Sequence, residues 1–548
     1  MAIIKKFMMP RLPKLNKASY GLIFIIFIIA LSALVRLHMF NYESLLYAED
    51  GTRDYLVASH IVQYGEFPMA GPVAGGLLHT SPLYFYALAS ILLIKNDLLF
   101  LGLVNIFFQI LAIGILYIFA KRIFGLQIAV GAAILFGLSQ FAITHSLKIW
   151  QPYIAEPFLY LSYLLLLISY QRKKFASLLM AIFVFIFSGA LWGVMFFAAP
   201  LFAILVFVIL RNQKARLRHY ALVSATALGS FFAFFAPLIF SPNYDRQLVF
   251  SFPKILLVSH GYFSRLLTNM ATLVDLFFYN TNANLLSLNN VLLIIFIGSL
   301  IYVLYSNKNA SRTIYIALIA ASIVQFLLVL SLMPNDNSPL RYFIPAFGLM
   351  VILVASSAQY IFSSSLVSKL AKIILIALLV YVSSPRLGHS WAQGLGNNFS
   401  INAGAKNLAA EKIKEELIEI TQGIGGSHIA PFDIIAYNGG NRHVPGQSGF
   451  WVALEKSLGK KFTTIEDANF LNYRPLRKGN YYKFLICYNK NASFKHDGIL
   501  MRGIEPAYDI SCVNSFLDQF PNHRIIKEIY SAQNLGEIVF KVYRAEAS

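Results

Sequence analysis

From Tyr20 the chain reads YGLIFIIFIIALSALVRLHMF, and ten further apolar runs follow it near residues 98–120, 123–142, 154–170, 175–191, 193–210, 221–241, 289–305, 313–333, 342–362 and 369–385. A helix that crosses a bilayer needs about 20 mostly apolar residues. In hydrocarbon only helices and closed barrels satisfy their own backbone. The repetition of such runs therefore predicts an all-α polytopic membrane domain of about eleven spans. Charged residues make up only 13% of the 548 positions, about half the share of a soluble domain.

The net charge of +20 would suggest nucleic acid in a soluble chain. Here the cations fall between apolar runs, as KR at 121–122, QRKK at 171–174, RNQKARLRH at 211–219, NKNASR at 307–312 and Lys369 with Lys372. That placement reads as a topology signal and not as a nucleic-acid surface. Lys5, Lys6, Arg11, Lys14 and Lys17 precede the first run and put the N-terminus in the cytoplasm. No small-residue cleavage site follows that run, so it reads as a retained anchor. If SPLYFYALASILLI at 81–94 lies in the interface instead of spanning, all the basic turns become cytoplasmic together. Its aromatic start, Tyr84-Phe85-Tyr86, suits the headgroup zone. The expected topology then exposes 40–97, 143–153, 242–288, 334–341 and the tail on the outer face of a cytoplasmic membrane.

The division expected is a transmembrane domain over 1–385 and a small extracytoplasmic α/β domain over 386–548. In the latter, NLAAEKIKEELIEITQG has apolar residues at helical spacing. HIAPFDIIAY, YYKFLICY and GEIVFKVYRA read as strands. Cys487 and Cys512 lie in this tail, either as one disulfide or as two thiols.

Chemistry is sought on the outer side, in the polar stretch YAEDGTRDYLVASHIVQYGEFPMAGP that directly follows the first span. Asp50 and Glu49 stand there at the membrane surface, where partial desolvation raises a carboxylate's pKa and makes it a better base. Arg53 and Asp54 either pair locally or line the same site. Trp150, before QPY, reads as an interface anchor.

The stretch from Asp50 through Tyr55 and GEFP (65–68) to SPLYFY (81–86) resembles the first outer loop of the C-type glycosyltransferase superfamily of membrane enzymes. It is similar to the bacterial protein-mannosyltransferase and aminoarabinose-transferase group. PLRYFIPAF at 339–347 resembles that family's late Arg-Tyr-x-x-Pro motif. Residue-level likeness is confined to about sixty positions, and the order of spans and external tail follow the family in outline. The resemblance implies transfer of a sugar from a polyprenyl-phosphate carrier to a lipid, glycan or protein acceptor at the outer face. It implies Asp50 as general base, and Arg341 and His79 at the donor phosphate, where a guanidinium fork is well suited. Around these, Glu49, Arg53, Asp54, Tyr55, Tyr84, His145, Lys148, Gln151 and Tyr342 are candidates to line the site.

This chain departs from the family at Asp50-Gly51, where an Asp-Glu pair is usual and Glu49 stands on the other side, and at His79-Thr80, where Glu-Lys is usual. Gln151 or Glu156 is the candidate for a second acid's place. Tyr244, Asp245, Arg246, Lys254, His260 and Arg265 are further loop candidates to gate the site or touch the acceptor. Asp50 beside Glu49 can hold Mg²⁺ or Mn²⁺ through phosphate oxygens, though the chain shows no second ligand set. An O-antigen-type polymerase or ligase, or a lipid or sugar transporter, are the alternatives. The first usually lacks an acidic cluster after span one, and the second calls for charge at mid-span depth, whereas the clearest spans here are nearly free of charge.

Overall fold

The computed structural model describes residues 17–40, 42, 45, 49–74, 78–139, 142, 143, 146–241, 265, 323, 324, 344–363, 434–438, 452, 456, 457, 464–467, 484–490, 495, 496, 499, 500, 523–535 and 538–547. The first span is α1, Lys17–Met39. Helix α2, Glu49–Tyr64, carries the acidic cluster. A hairpin of β1, Val73–Ala74, and β2, Leu78–His79, leads to α3, Leu83–Leu92. At 1.5 Å per residue α3 is about 15 Å long, half of what the bilayer core demands. Helix α2 packs against it.

Helix α4, Leu98–Phe124, starts at Asp97, whose side chain accepts the Phe100 N–H at 2.8 Å. It ends on Lys121 and Arg122, and Gly125, at a φ of 91° that glycine tolerates best, turns the chain into α5, Leu126–Leu138. Fully buried Ala129, Ala132 and Ala133 give α5 a face of small residues that lets its neighbours approach closely. Helices α6, Gln151–Arg172, and α7, Phe175–Leu191, form an antiparallel pair. The run at 193–210 begins as a 3-10 turn, Gly193–Ala198, before α8, Ala199–Asn212. Helix α9, Leu217–Ile239, lies against α7, and α10, Ile344–Ser363, packs on α5 and α6.

Five of these segments are long and apolar enough to cross a membrane: Gly21–Met39, Leu98–Phe124, Gln151–Arg172, Gly193–Asn212 and Leu217–Ile239. The chain is a multi-pass membrane protein. The runs at 289–305 and 369–385 lie outside the described residues, as does the helix expected over 407–423, and of the run at 313–333 only 323 and 324 are described.

The spans are less bare of charge than the sequence suggests. Arg36 of α1 and Glu156 of α6 are both buried inside the bundle. Arg36 donates from Nε to Ser146 Oγ at 3.0 Å and from Nη1 to the Gly137 carbonyl at 2.8 Å and to Ser32. Its charge faces that of Glu156. A run scored residue by residue hides such a pair, because each charge is diluted by some twenty apolar neighbours.

In the tail, β3 (Ile434–Asn438), β4 (Thr464–Asp467), β5 (Phe484–Lys490), β8 (His523–Leu535) and β9 (Ile538–Ala547) form one sheet in the order β4-β3-β5-β9-β8. The strands β3, β4 and β5 run parallel, and β5, β9 and β8 antiparallel. Lys495–His496 and Ile499–Leu500, β6 and β7, make a separate small hairpin. Strands β3, β5 and β9 coincide with the three expected ones; β4 and β8 were not expected. Upstream of β4, Val452 is buried in the helical core, and the Lys456 ammonium sits 3.5 Å from the centre of the Tyr42 ring.

Candidate active site

The site is built on the first turns of α2. Asp50 and Arg53 are three residues apart and share one helix face. Their ion pair, Nη1 to Oδ1, measures 3.0 Å. Arg53 also grips its neighbour Asp54, with Nε at 2.9 Å and Nη2 at 2.7 Å from the same oxygen, Oδ1. One guanidinium thus bridges two carboxylates of different standing. The Asp50 side chain is 48% exposed and that of Asp54 is 0% exposed.

Burial pushes the Asp54 carboxyl up to about 7, against the pull of Arg53 and with a further push from Asp50. Partial desolvation is the expectation for Asp50, whose side chain is half in solvent, and the fold buries Asp54 completely. The reason is the direction of α2, which turns residue 54 onto α3 and leaves residue 50 at the open end of the helix. The Tyr84 hydroxyl, fully buried on α3, is raised well above its usual value, first by burial and next by the charge of Asp54. Asp54 Oδ2 and the Tyr84 hydroxyl are both buried without a hydrogen-bond partner. Tyr55 is buried in the core and supports α2 from behind.

The packing around residue 51 accounts for a glycine at that position. A Cβ placed there would stand 2.5 Å from the Ile149 carbonyl oxygen, closer than side-chain carbons come to anything. The segment entering α6 therefore lies directly on the turn that carries Asp50. Asn105 of α4 fixes that segment by donating its amide to the carbonyls of Ser146 (2.9 Å) and Lys148 (2.8 Å). Lys148 is part-exposed there, Trp150 is part-buried, and Gln151, the first residue of α6, is buried.

The hairpin brings His79 back beside Gly71, with Nδ1 3.0 Å from the Gly71 carbonyl. With Nδ1–H donated there, Nε2 is an acceptor, and it donates to a phosphate only when the ring is protonated. Thr80 donates to the Pro72 carbonyl at 2.9 Å, and a Cβ on Gly71 would collide with Ser81 O at 2.1 Å. Tyr86 donates to the Pro68 carbonyl at 2.6 Å, which closes GEFP onto α3. Glu49 opens α2, but its side chain lies outside the described residues. His145, Arg341 and Tyr342 also lie outside them, as do Tyr244, Asp245, Arg246, Lys254 and His260.

Glu156 belongs to a second polar cluster. It accepts the Tyr160 hydroxyl at 2.5 Å and the Gln109 amide at 3.2 Å. Pro157 has no N–H for the Tyr153 carbonyl four residues back, and Gln109 supplies the missing donor at 2.9 Å. Tyr160 in turn accepts the Gly348 N–H of α10 at 2.9 Å. The Glu156–Tyr160 spacing of one helical turn was visible in the sequence; the partners on α1, α4 and α10 were not. Among the described residues no group of three or more metal-ligating side chains forms. Arg53 at 3.0 Å from Asp50 places a positive charge where a cation would need to bind. So paired, Asp50 is not arranged to hold Mg²⁺ or Mn²⁺.

The fold is shared with solved structures of ArnT and of an archaeal oligosaccharyltransferase. No family model matches the chain, and no curated protein matches it by sequence. It is similar to ArnT from Cupriavidus metallidurans bound to undecaprenyl phosphate, over 96% of this chain and 98% of that one, with a TM-score of 0.54 at 10% identity. The apo form of that ArnT matches over the same shares with a TM-score of 0.50. The Archaeoglobus fulgidus oligosaccharyltransferase in complex with Zn and sulfate matches over 92% of this chain and 79% of its own, with a TM-score of 0.50 at 14% identity. At such identities the likeness is one of fold.

Proposed function

We propose that this chain is an inverting glycosyltransferase that moves a sugar from a polyprenyl-phosphate donor to an acceptor at the outer face of the cytoplasmic membrane. The observation that carries the reading is Asp50: a half-exposed carboxylate at the open end of α2, fixed by Arg53 and by the segment entering α6. The fold in which it sits is one that, in ArnT, was crystallised with undecaprenyl phosphate. Asp50 takes the proton of the acceptor's attacking group as that group bonds to the sugar's anomeric carbon. The bond from that carbon to the phosphate oxygen breaks, and polyprenyl phosphate leaves. Arg341 and His79 meet the leaving phosphate, with Tyr342, His145, Lys148 and Gln151 around it.

The N-terminus is cytoplasmic in this reading. The membrane domain runs to about residue 385, and the tail from 386 is an extracytoplasmic α/β unit. The buried charges do not favour a transporter. Glu156 stands only about 7.5 Å from the start of α6, and tyrosine and amide donors close around it.

The test supplies purified protein with a panel of radiolabelled polyprenyl-phosphate sugars and membrane extract, and compares the wild type with Asp50→Asn. Transfer by the wild type alone is expected. Equal transfer by both removes Asp50 as base, and no transfer from any carrier favours the transport reading.

A further inference from the structure

Arg53 holds Asp54 and Asp50 unequally. Toward Asp54 it offers two N–H groups to an oxygen with no exposure to water, and Asp54's other oxygen has no partner. Toward Asp50 it offers one, at 3.0 Å, to a carboxylate half in solvent. Breaking a buried pair strands a charge away from water and is strongly unfavourable. An exposed pair is weak and readily exchanged. If anything competes for Arg53, the contact that yields is therefore the one with Asp50.

We propose that Arg53 is a two-position clamp for the donor's phosphate: Asp54 holds the guanidinium in place, and Nη1 passes from Asp50 to the phosphate, releasing Asp50 to act as base. The proposal rests on the donor reading above and deepens it. A phosphodiester, like a carboxylate, offers a guanidinium edge two oxygens that share one charge, so it can take that edge from Asp50, whose pair with Arg53 is half in solvent and weak. Arrival of the donor then frees the base, so the acceptor is deprotonated only when there is a sugar to receive it. Asp54 is a positioning residue in this scheme and touches no substrate.

The scheme makes a prediction that simple charge removal does not. Near an anion, replacing either aspartate by a neutral amide should tighten binding on electrostatic grounds alone. With the clamp, the two replacements act in opposite directions. Binding of undecaprenyl phosphate is measured on the purified full chain in nanodiscs. Asp50→Asn, which removes the competitor, binds about two- to fivefold tighter than the wild type. Asp54→Asn, which unseats Arg53, binds about tenfold weaker or worse. Arg53→Lys keeps the charge without the fork and is also about tenfold weaker; it decides the matter if Asp54→Asn fails to fold. Tighter binding by both aspartate variants, or wild-type affinity in Arg53→Lys, overturns the clamp while leaving the donor reading intact. No binding by the wild type overturns the donor reading and the clamp with it.

Discussion

Asp54 and Glu156 are both carboxylates withdrawn from water near the same end of the bundle, yet their surroundings answer burial in opposite ways. Asp54 is held by a cation that it shares with an exposed partner, and one of its oxygens goes unpartnered. Glu156 is met by neutral donors from its own helix and from α4, with Arg36 of α1 within electrostatic reach. The first arrangement leads outward to Asp50. The second leads inward, through Tyr160, to the backbone of α10. A buried acid is thus no signature of chemistry by itself; what matters is whether its partners connect it to a surface that a substrate reaches.

The largest effect that would sharpen this contrast is at Asp50. Its replacement by Asn is expected to reduce the transfer rate by about 10²- to 10⁴-fold, the range of a general base, with the protein's melting behaviour unchanged. Glu156→Leu should do the reverse. It strands Tyr160, Gln109 and Arg36 and costs about 2–3 kcal/mol of stability, read as an earlier thermal transition in detergent, while the folded enzyme keeps its rate. Loss of more than a hundredfold in rate by folded Glu156→Leu would break the comparison.

Gly348→Ala probes the inward path from its far end. The new methyl meets the Tyr160 hydroxyl at 2.4 Å and must displace it, at a cost of about 1–3 kcal/mol. A stability equal to the wild type would show that α10 does not rely on that contact.

Asp54 makes the pH dependence of stability testable. Its folded value, about 7, lies above that of an unfolded aspartate. The folded state therefore holds the proton more tightly, and the stabilisation this brings is complete below the unfolded value and lost as pH rises through 7. The melting temperature of the wild type minus that of Asp54→Asn should fall between pH 5 and pH 8, and a difference that rises would contradict the burial. The smallest effect is expected at the tail: Lys456→Ala removes the contact with Tyr42 and costs about 0.5–1 kcal/mol. That is visible in a urea titration and leaves both carboxylates untouched.

Much of this was legible in the sequence because membrane helices announce themselves locally. The apolar runs at 98–120, 154–170, 175–191 and 342–362 became helices with ends displaced by a few residues. The short length of α3 follows from where its aromatic and apolar residues stop. The acidic loop could be singled out because Asp50, Arg53 and Asp54 are close in sequence. What the sequence concealed is whatever depends on distant partners. That Asp54, and not Asp50, is the desolvated acid depends on α3. The side chain missing at Gly51 makes sense only once Ile149, almost a hundred residues later, lies across it. The cluster of Arg36, Gln109, Glu156 and Gly348 draws on four helices, and no local pattern joins them.

The amide of Gln109 on the carbonyl that Pro157 leaves open bears on how faithfully Asp50 is aimed. A proline in mid-helix ordinarily creates a loose joint, since one rung of the ladder is gone. Here a neighbouring helix has bolted that joint, which ties α6 to α4 at the proline. The segment entering α6 is the abutment on which Gly51 rests. Sway in the long helix is thus checked one turn below the loop, and the carboxylate takes its bearing from α4, to which Asn105 and Gln109 both belong.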